Sequence, residues 1–175
     1  WWSPEPRAIL YPYDIKISRS LKKTLRKKLF KVTADQAFSE VIKGCAGPRI
    51  QSPGGGTWIT DEMMSTYTRL HQMGYGHSIE VWHDGKLAGG LYGLALGSAF
   101  FGESMYSHAP DASKVALVHL AKIATSHGID FIDCQLPTEH LSRMGAVDIS
   151  RKAYLAMLED ALKNSDRTEH WHYSD

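Results

Sequence analysis

Residues 77–106, HSIEVWHDGKLAGGLYGLALGSAFFGESMY, decide the fold. His77 to Trp82 alternate, which is the period of a strand with two unlike faces. Asp84-Gly85 is a strong hairpin turn signal. The returning strand, 86–97, carries Gly89, Gly90, Gly93 and Gly97. Glycine that dense in a strand marks a bulge or a close backbone approach. Residues 98–106 read as a third strand, so the centre is an antiparallel meander. Upstream, Thr60 caps a helix with Asp61 and Glu62 in its first turn, where the helix dipole favours them. Met63, Met64, Tyr67 and Leu70 form its apolar stripe, and Gly74 ends it. Before it lie a loop at 47–56, GPRIQSPGGG, and a helix capped by Asp35 with Ala37, Phe38, Val41 and Ile42 at helical spacing. Lys31-Val32-Thr33 is a short strand. A helix over about 19–29 is capped by Ser18 or Ser20. Residues 8–17 are extended, with Pro12 arguing for an edge or a bend. Downstream, a helix runs from Asp111 to about 127 and is nearly apolar all round, as a buried helix is. Gly128 closes it. Residues 131–135 form a strand, 150–163 an amphipathic helix, and the polar tail from Asn164 reads as loose. The class is α+β, with a central mostly antiparallel sheet flanked by helices rather than a doubly wound sheet.

The chain has 175 residues, 43% of them hydrophobic, enough for one domain with a core. Its 20 Lys and Arg stand against 19 Asp and Glu, so the whole chain is neither a polycation nor an acidic tail. No run approaches the roughly 18 apolar residues of a membrane span. Trp1-Trp2-Ser3-Pro4 does not open a secretory signal, and it reads as the middle of something longer, a truncated chain. The two cysteines, Cys45 and Cys134, make no disulfide framework, which fits a reducing cytosol.

Charge is concentrated at 15–31, where Lys16, Arg19, Lys22, Lys23, Arg26, Lys27, Lys28 and Lys31 stand without an acid. Pairs such as Arg19/Lys23, Lys22/Arg26 and Lys23/Lys27 each destabilise a helix by roughly 0.2–0.5 kcal/mol. An anionic partner offsets that repulsion, and phosphate backbone suits the density. A solvated helix face is the plain alternative. The nine histidines are scattered, with no HExxH or CxxC, so no metal site is expected. Serine-nucleophile, dinucleotide and P-loop glycine motifs are absent, and no cofactor is expected. Glu103 stands near a strand end beside the glycine-rich sheet. Asp133 and Gln135 share a strand face, about 6–7 Å apart by strand rise. Their apolar surroundings call for burial, and a buried carboxylate needs a partner, whether for catalysis or for structure alone.

Taken in order, WWSPEPRAIL, the SRS before the basic helix, GTWIT, GHSIEVW, GGLYG, GESMYS, ASK and IDCQ resemble the leucyl/phenylalanyl-tRNA–protein transferase family from residue 1 to about 155. The resemblance implies a GNAT-like acyltransferase fold, with 1–30 as the remainder of an N-terminal region including the basic helix, and 31–175 as the catalytic domain. It implies a cytoplasmic bacterial aminoacyltransferase that moves Leu, Phe or Met from aminoacyl-tRNA to proteins beginning with Arg or Lys, marking them for degradation by the N-degron pathway. It implies a monomer with no membrane partner. Carried over, Asp133 and Gln135 are the catalytic pair, and Glu103 and Trp58 are active-site positions. Leu91, Met105, Leu117, Leu120, Ser126 and Ile132 line the pocket for the transferred side chain. Leu91 and Leu120 stand where some relatives carry Met and Phe.

An aminoacyl ester is already activated, so the task is chiefly positioning. In the implied chemistry Asp133 polarises Gln135, whose amide oxygen orients the attacking amine, and Glu103 holds an ammonium group. Arg19, Lys22, Lys23, Arg26 and Lys27 are the candidate tRNA contacts. Two alternatives stand beside this reading. An acetyl-CoA-dependent GNAT enzyme needs a Q/R-x-x-G-x-G/A loop, which the chain lacks. A non-catalytic tRNA-binding module leaves the Asp133/Gln135 pair without a purpose.

Overall fold

The computed structural model describes residues 4–47, 58–166 and 168–175. At its centre β3 (Gly76–His83), β4 (Lys86–Leu96) and β5 (Ala99–Ser107) form the expected antiparallel meander. Asp84 and Gly85 both take positive φ, 49° and 73°, the sign pattern of the primed turns that match strand twist. β2 (Lys31–Ala34) pairs antiparallel with β3, and β8 (Tyr173–Ser174) with β2. On the other flank β6 (Phe131–Gln135) pairs with β5, β1 (Arg7–Leu10) with β6, and β7 (Val147–Ile149) with β1. The strand order is β7-β1-β6-β5-β4-β3-β2-β8. β5 and β6 are the parallel neighbours; the other pairs are antiparallel.

Among the described residues six α-helices flank this sheet: α1 (Arg19–Arg26), α2 (Phe38–Ala46), α3 (Asp61–Gln72), α4 (Ala112–Ser126), α5 (Glu139–Arg143) and α6 (Arg151–Ala161). Strand alternation divides the core between two faces. Leu10, Leu91, Phe100 and Ile132 pack with Leu117 and Leu120 of α4. Tyr92 instead joins Phe38, Val41 and Ile42 of α2, and Ile9, Ala99 and Phe131 join Tyr154 and Ala161 of α6. Among the described residues no helix is long and apolar enough to cross a membrane.

Ser18, Thr60 and Ser150 cap their helices through the side chain. Asp35 does not cap α2. It sits at φ 57°, and its carboxylate accepts from the Ser78 and Trp171 N–H groups and from His77, so α2 begins after Ala37. Asp111 flanks α4 at φ 68° without capping it, because its oxygens accept from Thr24 and Lys114 instead. α1 stops at Arg26, short of the expected 29. Pro12 makes a bend, a 3-10 turn over Pro12–Asp14, while β1 itself is interior, with Ala8, Ile9 and Leu10 fully buried. The tail is not loose. Trp171 is 2% exposed and stacks on His77 at 4.0 Å between ring centroids, and β8 extends the sheet. The glycine-rich loop lies outside the described residues except for Gly47, as do Trp1 and Trp2.

Candidate active site

The parallel ladder between β5 and β6 covers only Ala99–Phe101 against Phe131–Asp133. Where it stops the strands part, and a cleft of about 400 Å³ opens between them. β5 contributes Gly102, Glu103, Ser104 and Met105 to its walls, and β6 contributes Asp133, Cys134 and Gln135. Leu117 and Leu120 reach it from α4 and Leu91 and Tyr92 from β4, while Trp58, about half exposed, stands at it from before α3. The cleft therefore takes side chains from both faces of the sheet.

A bulge aims Glu103 into this space. Tyr92 faces Ser104 and Gly93 faces Gly102, which leaves Glu103 as the extra residue of β5. A side chain at position 93 would overlap the Phe101 carbonyl and the Phe100 ring, so the close approach needs glycine there. Burial raises the Glu103 carboxyl above its usual range and nearby Asp133 adds to the rise, while a hydrogen bond from Tyr67 and the charge of Arg7 act against it. The Tyr67 hydroxyl is itself pushed up, by burial first and then by Glu103.

Asp133 is fully buried and saturated with donors. Arg7 grips it with two bonds, Nε to Oδ1 at 2.9 Å and Nη2 to Oδ2 at 2.6 Å. The Tyr154 hydroxyl donates to Oδ2 at 2.7 Å, and the Gln135 N–H donates to Oδ1 at 2.9 Å. The Arg7 guanidinium also lies 4.8 Å from the Tyr154 ring centroid, a cation–π distance. Burial and Asp133 together drive the Cys134 thiol up to about 12, so it stays protonated near neutrality. The expected link from Asp133 to Gln135 runs through the main chain, not the side-chain amide. It holds Gln135 at φ 62°, where a non-glycine residue stays only if its surroundings fix it. The Gln135 side chain donates from Nε2 to the Gly102 carbonyl at 2.6 Å, and its Oε1 is the acceptor end.

Of the residues singled out from sequence, Trp58, Leu91, Glu103, Met105, Leu117, Leu120, Ile132, Asp133 and Gln135 meet at the cleft. Ser126 does not: it is exposed at the C-terminal end of α4 and donates to the Ile123 carbonyl. Arg19, Lys22, Lys23 and Arg26 lie on the exposed face of α1, opposite buried Leu21, and exposed Lys27 follows at its C-terminal end. Among the described residues none of the five forms an ion pair.

The family profile described as leucyl/phenylalanyl-tRNA protein transferase matches residues 9–159. The chain belongs to this family. It is 58% identical to the leucyl/phenylalanyl-tRNA–protein transferase of Legionella pneumophila strain Lens, over 98% of this chain and 76% of that one. Identity is 56% to the transferase of the same name from Azoarcus sp. strain BH72, over 91% of this chain and 67% of that one. In fold it is similar to a GCN5-related N-acetyltransferase from Kribbella flavida, with TM-score 0.50 and 12% identity over 85% of this chain and 55% of that one. This member of the transferase family thus has a GNAT-like fold, with its cleft at the parting of β5 and β6.

Arg7, Tyr154, Tyr67 and His140 stand at or behind this cleft in the transferase, and none is among the site residues singled out from sequence. Arg7 lies 126 residues from Asp133, and no local pattern announces such a pair. Tyr154 reads as one apolar position of an amphipathic helix, and Tyr67 as one of a stripe. His140 was one histidine among nine. It lines the cleft, its Nε2 is buried and has no partner among the described residues, and burial, then Lys114, lowers its pKa.

Proposed function

We propose that this chain transfers Leu, Phe or Met from aminoacyl-tRNA to the N-terminal Arg or Lys of acceptor proteins, as a cytoplasmic monomer. The observation that carries the reading is the cleft at the split sheet. It joins an apolar floor, Leu91, Met105, Leu117, Leu120 and Ile132, to Glu103, Gln135 and His140. A floor of leucines and one flexible methionine suits unbranched Cβ side chains of different shape. An N-terminal Arg or Lys brings a cation, which favours the ionised form of Glu103.

The amine nitrogen attacks the ester carbonyl, the bond to the ribose oxygen breaks, and the proton released from the amine ends on that oxygen. Gln135 Oε1 accepts a hydrogen bond from the amine and sets its approach. A neutral amide is a weak base, so His140, whose burial favours the neutral imidazole, carries the proton. Asp133 serves as the buried anchor of the Gln135 main chain. Residues Arg19, Lys22, Lys23, Arg26 and Lys27 hold the tRNA backbone, and transfer marks the acceptor for N-degron degradation.

Radiolabelled Leu-tRNA or Phe-tRNA with peptides beginning in Arg, Lys or Ala tests this. Label is expected on the Arg and Lys peptides and little on the Ala peptide. Equal labelling of all three would remove the acceptor rule.

A further inference from the structure

Away from the cleft, three side chains from distant parts of the chain converge: Asp35 after β2, His71 near the end of α3, and His170 in the C-terminal segment. One nitrogen of each imidazole and one carboxylate oxygen lie within 4.8 Å of one another. We propose that these residues bind a divalent transition metal of the zinc class, with water in the fourth position. Nothing in the aminoacyl-transfer chemistry needs this site, and the proposal stands apart from that reading.

The donor set suits the ion, since two imidazoles and a carboxylate are borderline ligands that zinc accepts in a tetrahedral shell. The supports that orient metal ligands are already in place. His71 Nδ1 lies 2.8 Å from the Gly76 carbonyl, so it carries the proton and leaves Nε2 as the nitrogen with a free lone pair. A backbone carbonyl behind a ligating histidine is the usual arrangement. The same ring lies flat on Phe38, 4.3 Å between centroids and 8° between planes, which fixes its direction. The Asp35 carboxylate accepts at Oδ1 from the Ser78 N–H at 2.8 Å and at Oδ2 from the Trp171 N–H at 2.6 Å and His77 Nδ1 at 2.8 Å, so an ion bound at Oδ2 shares that oxygen with both donors. Hydrogen bonds of that kind hold ligating carboxylates in place.

A tetrahedral zinc shell with bonds of about 2.0–2.2 Å places its ligand atoms roughly 3.3–3.5 Å apart. His170 Nδ1 lies 3.9 Å from Asp35 Oδ2, so closing the site takes about half an ångström at that edge. The His170 side chain is 44% exposed and can swing, while Asp35 is held. The ion would join β2, α3 and the segment that seats Trp171, and so pin the C-terminal strand β8 to the sheet.

The test is isothermal titration of zinc chloride into the tag-free, chelator-stripped full chain, with a thermal melt run in parallel. Tight binding of one zinc per chain and a raised Tm are expected. His170→Ala, a change at an exposed position, and His71→Ala should each weaken binding by roughly 100-fold or more and abolish the Tm shift. His172→Ala should change neither. Binding lost in His172→Ala but kept in His71→Ala would place the ion on the exposed His170/His172 pair and overturn the proposal. Absence of zinc binding by the unmodified chain would overturn it as well. If His71→Ala fails to fold, His170→Ala against His172→Ala still decides.

Discussion

Replacing Arg7 by alanine leaves Asp133 as a fully buried carboxylate without its cation. Two charge-assisted bonds, at 2.9 and 2.6 Å, disappear together. Breaking one side of a buried pair costs about 3–5 kcal/mol, because the remaining charge is stranded away from water. The Arg7 side chain is only 13% exposed, so solvent screens the pair little. Against a total stability of about 5–15 kcal/mol that is a large fraction. For a domain of this size, Tm should fall by roughly 6–20 °C. Urea unfolding should show the midpoint falling with an unchanged slope. Asp133→Asn in the Arg7→Ala background removes the stranded charge, and the one amide oxygen of asparagine still accepts from either Tyr154 or the Gln135 N–H. The double variant should therefore be more stable than Arg7→Ala alone, with a coupling energy of about 0.5–3 kcal/mol. A loss under about 1 kcal/mol in Arg7→Ala, or simple additivity in the cycle, would refute the view of Asp133 as a charge locked by Arg7.

Other consequences follow from the same geometry. Gln135→Ala should slow single-turnover transfer while tRNA affinity stays near normal, and a wild-type rate would demote the residue to structure. Burial raises Glu103 above its ordinary value of 4.5, so stability from this group is fully present below that value and is lost as pH rises through the folded value. Glu103→Gln should therefore gain stability over wild type as pH rises from about 4 to about 7, read from urea midpoints at each pH, and a constant difference would contradict the assignment. Replacing Lys23 and Arg26 by alanine should weaken tRNA binding and flatten the plot of log affinity against log salt by about one to two units, at roughly 0.7–0.9 per phosphate contacted. Ile-tRNA and Val-tRNA, branched at Cβ beside the reacting carbonyl, should be poor donors. Transfer from Ile-tRNA at the Leu-tRNA rate would contradict the pocket reading.

The meander was legible because its signals are local: alternation in 77–82, the Asp-Gly turn, and glycines whose bulge appears at Gly93 and Glu103. The ends of elements were less legible where a cap residue had a distant partner. Asp35 has the chemistry of a helix cap, but Ser78, His77 and Trp171 claim its oxygens. The tail misled for a related reason. Its composition is polar, and its largest apolar residue, Trp171, finds its seat only once His77 and Phe100 are folded beside it. At the cleft, the residues on β5 and β6 could be named because they sit in short distinctive motifs. Arg7, Tyr154 and His140 could not, since their roles exist only where sequence-distant elements meet. Ser126 shows the converse. It shares α4 with Leu117 and Leu120 but lies at the helix's C-terminal end, away from the cleft those residues line.

The most direct measurement offers the chain one Arg-starting peptide with Leu-tRNA in one reaction and acetyl-CoA in another, and identifies the product by mass spectrometry and N-terminal sequencing. Aminoacyl transfer requires a leucyl group on the α-amine of the arginine in the first reaction and unchanged peptide in the second. An acetylated peptide, or no leucylated product from intact Leu-tRNA, would contradict it.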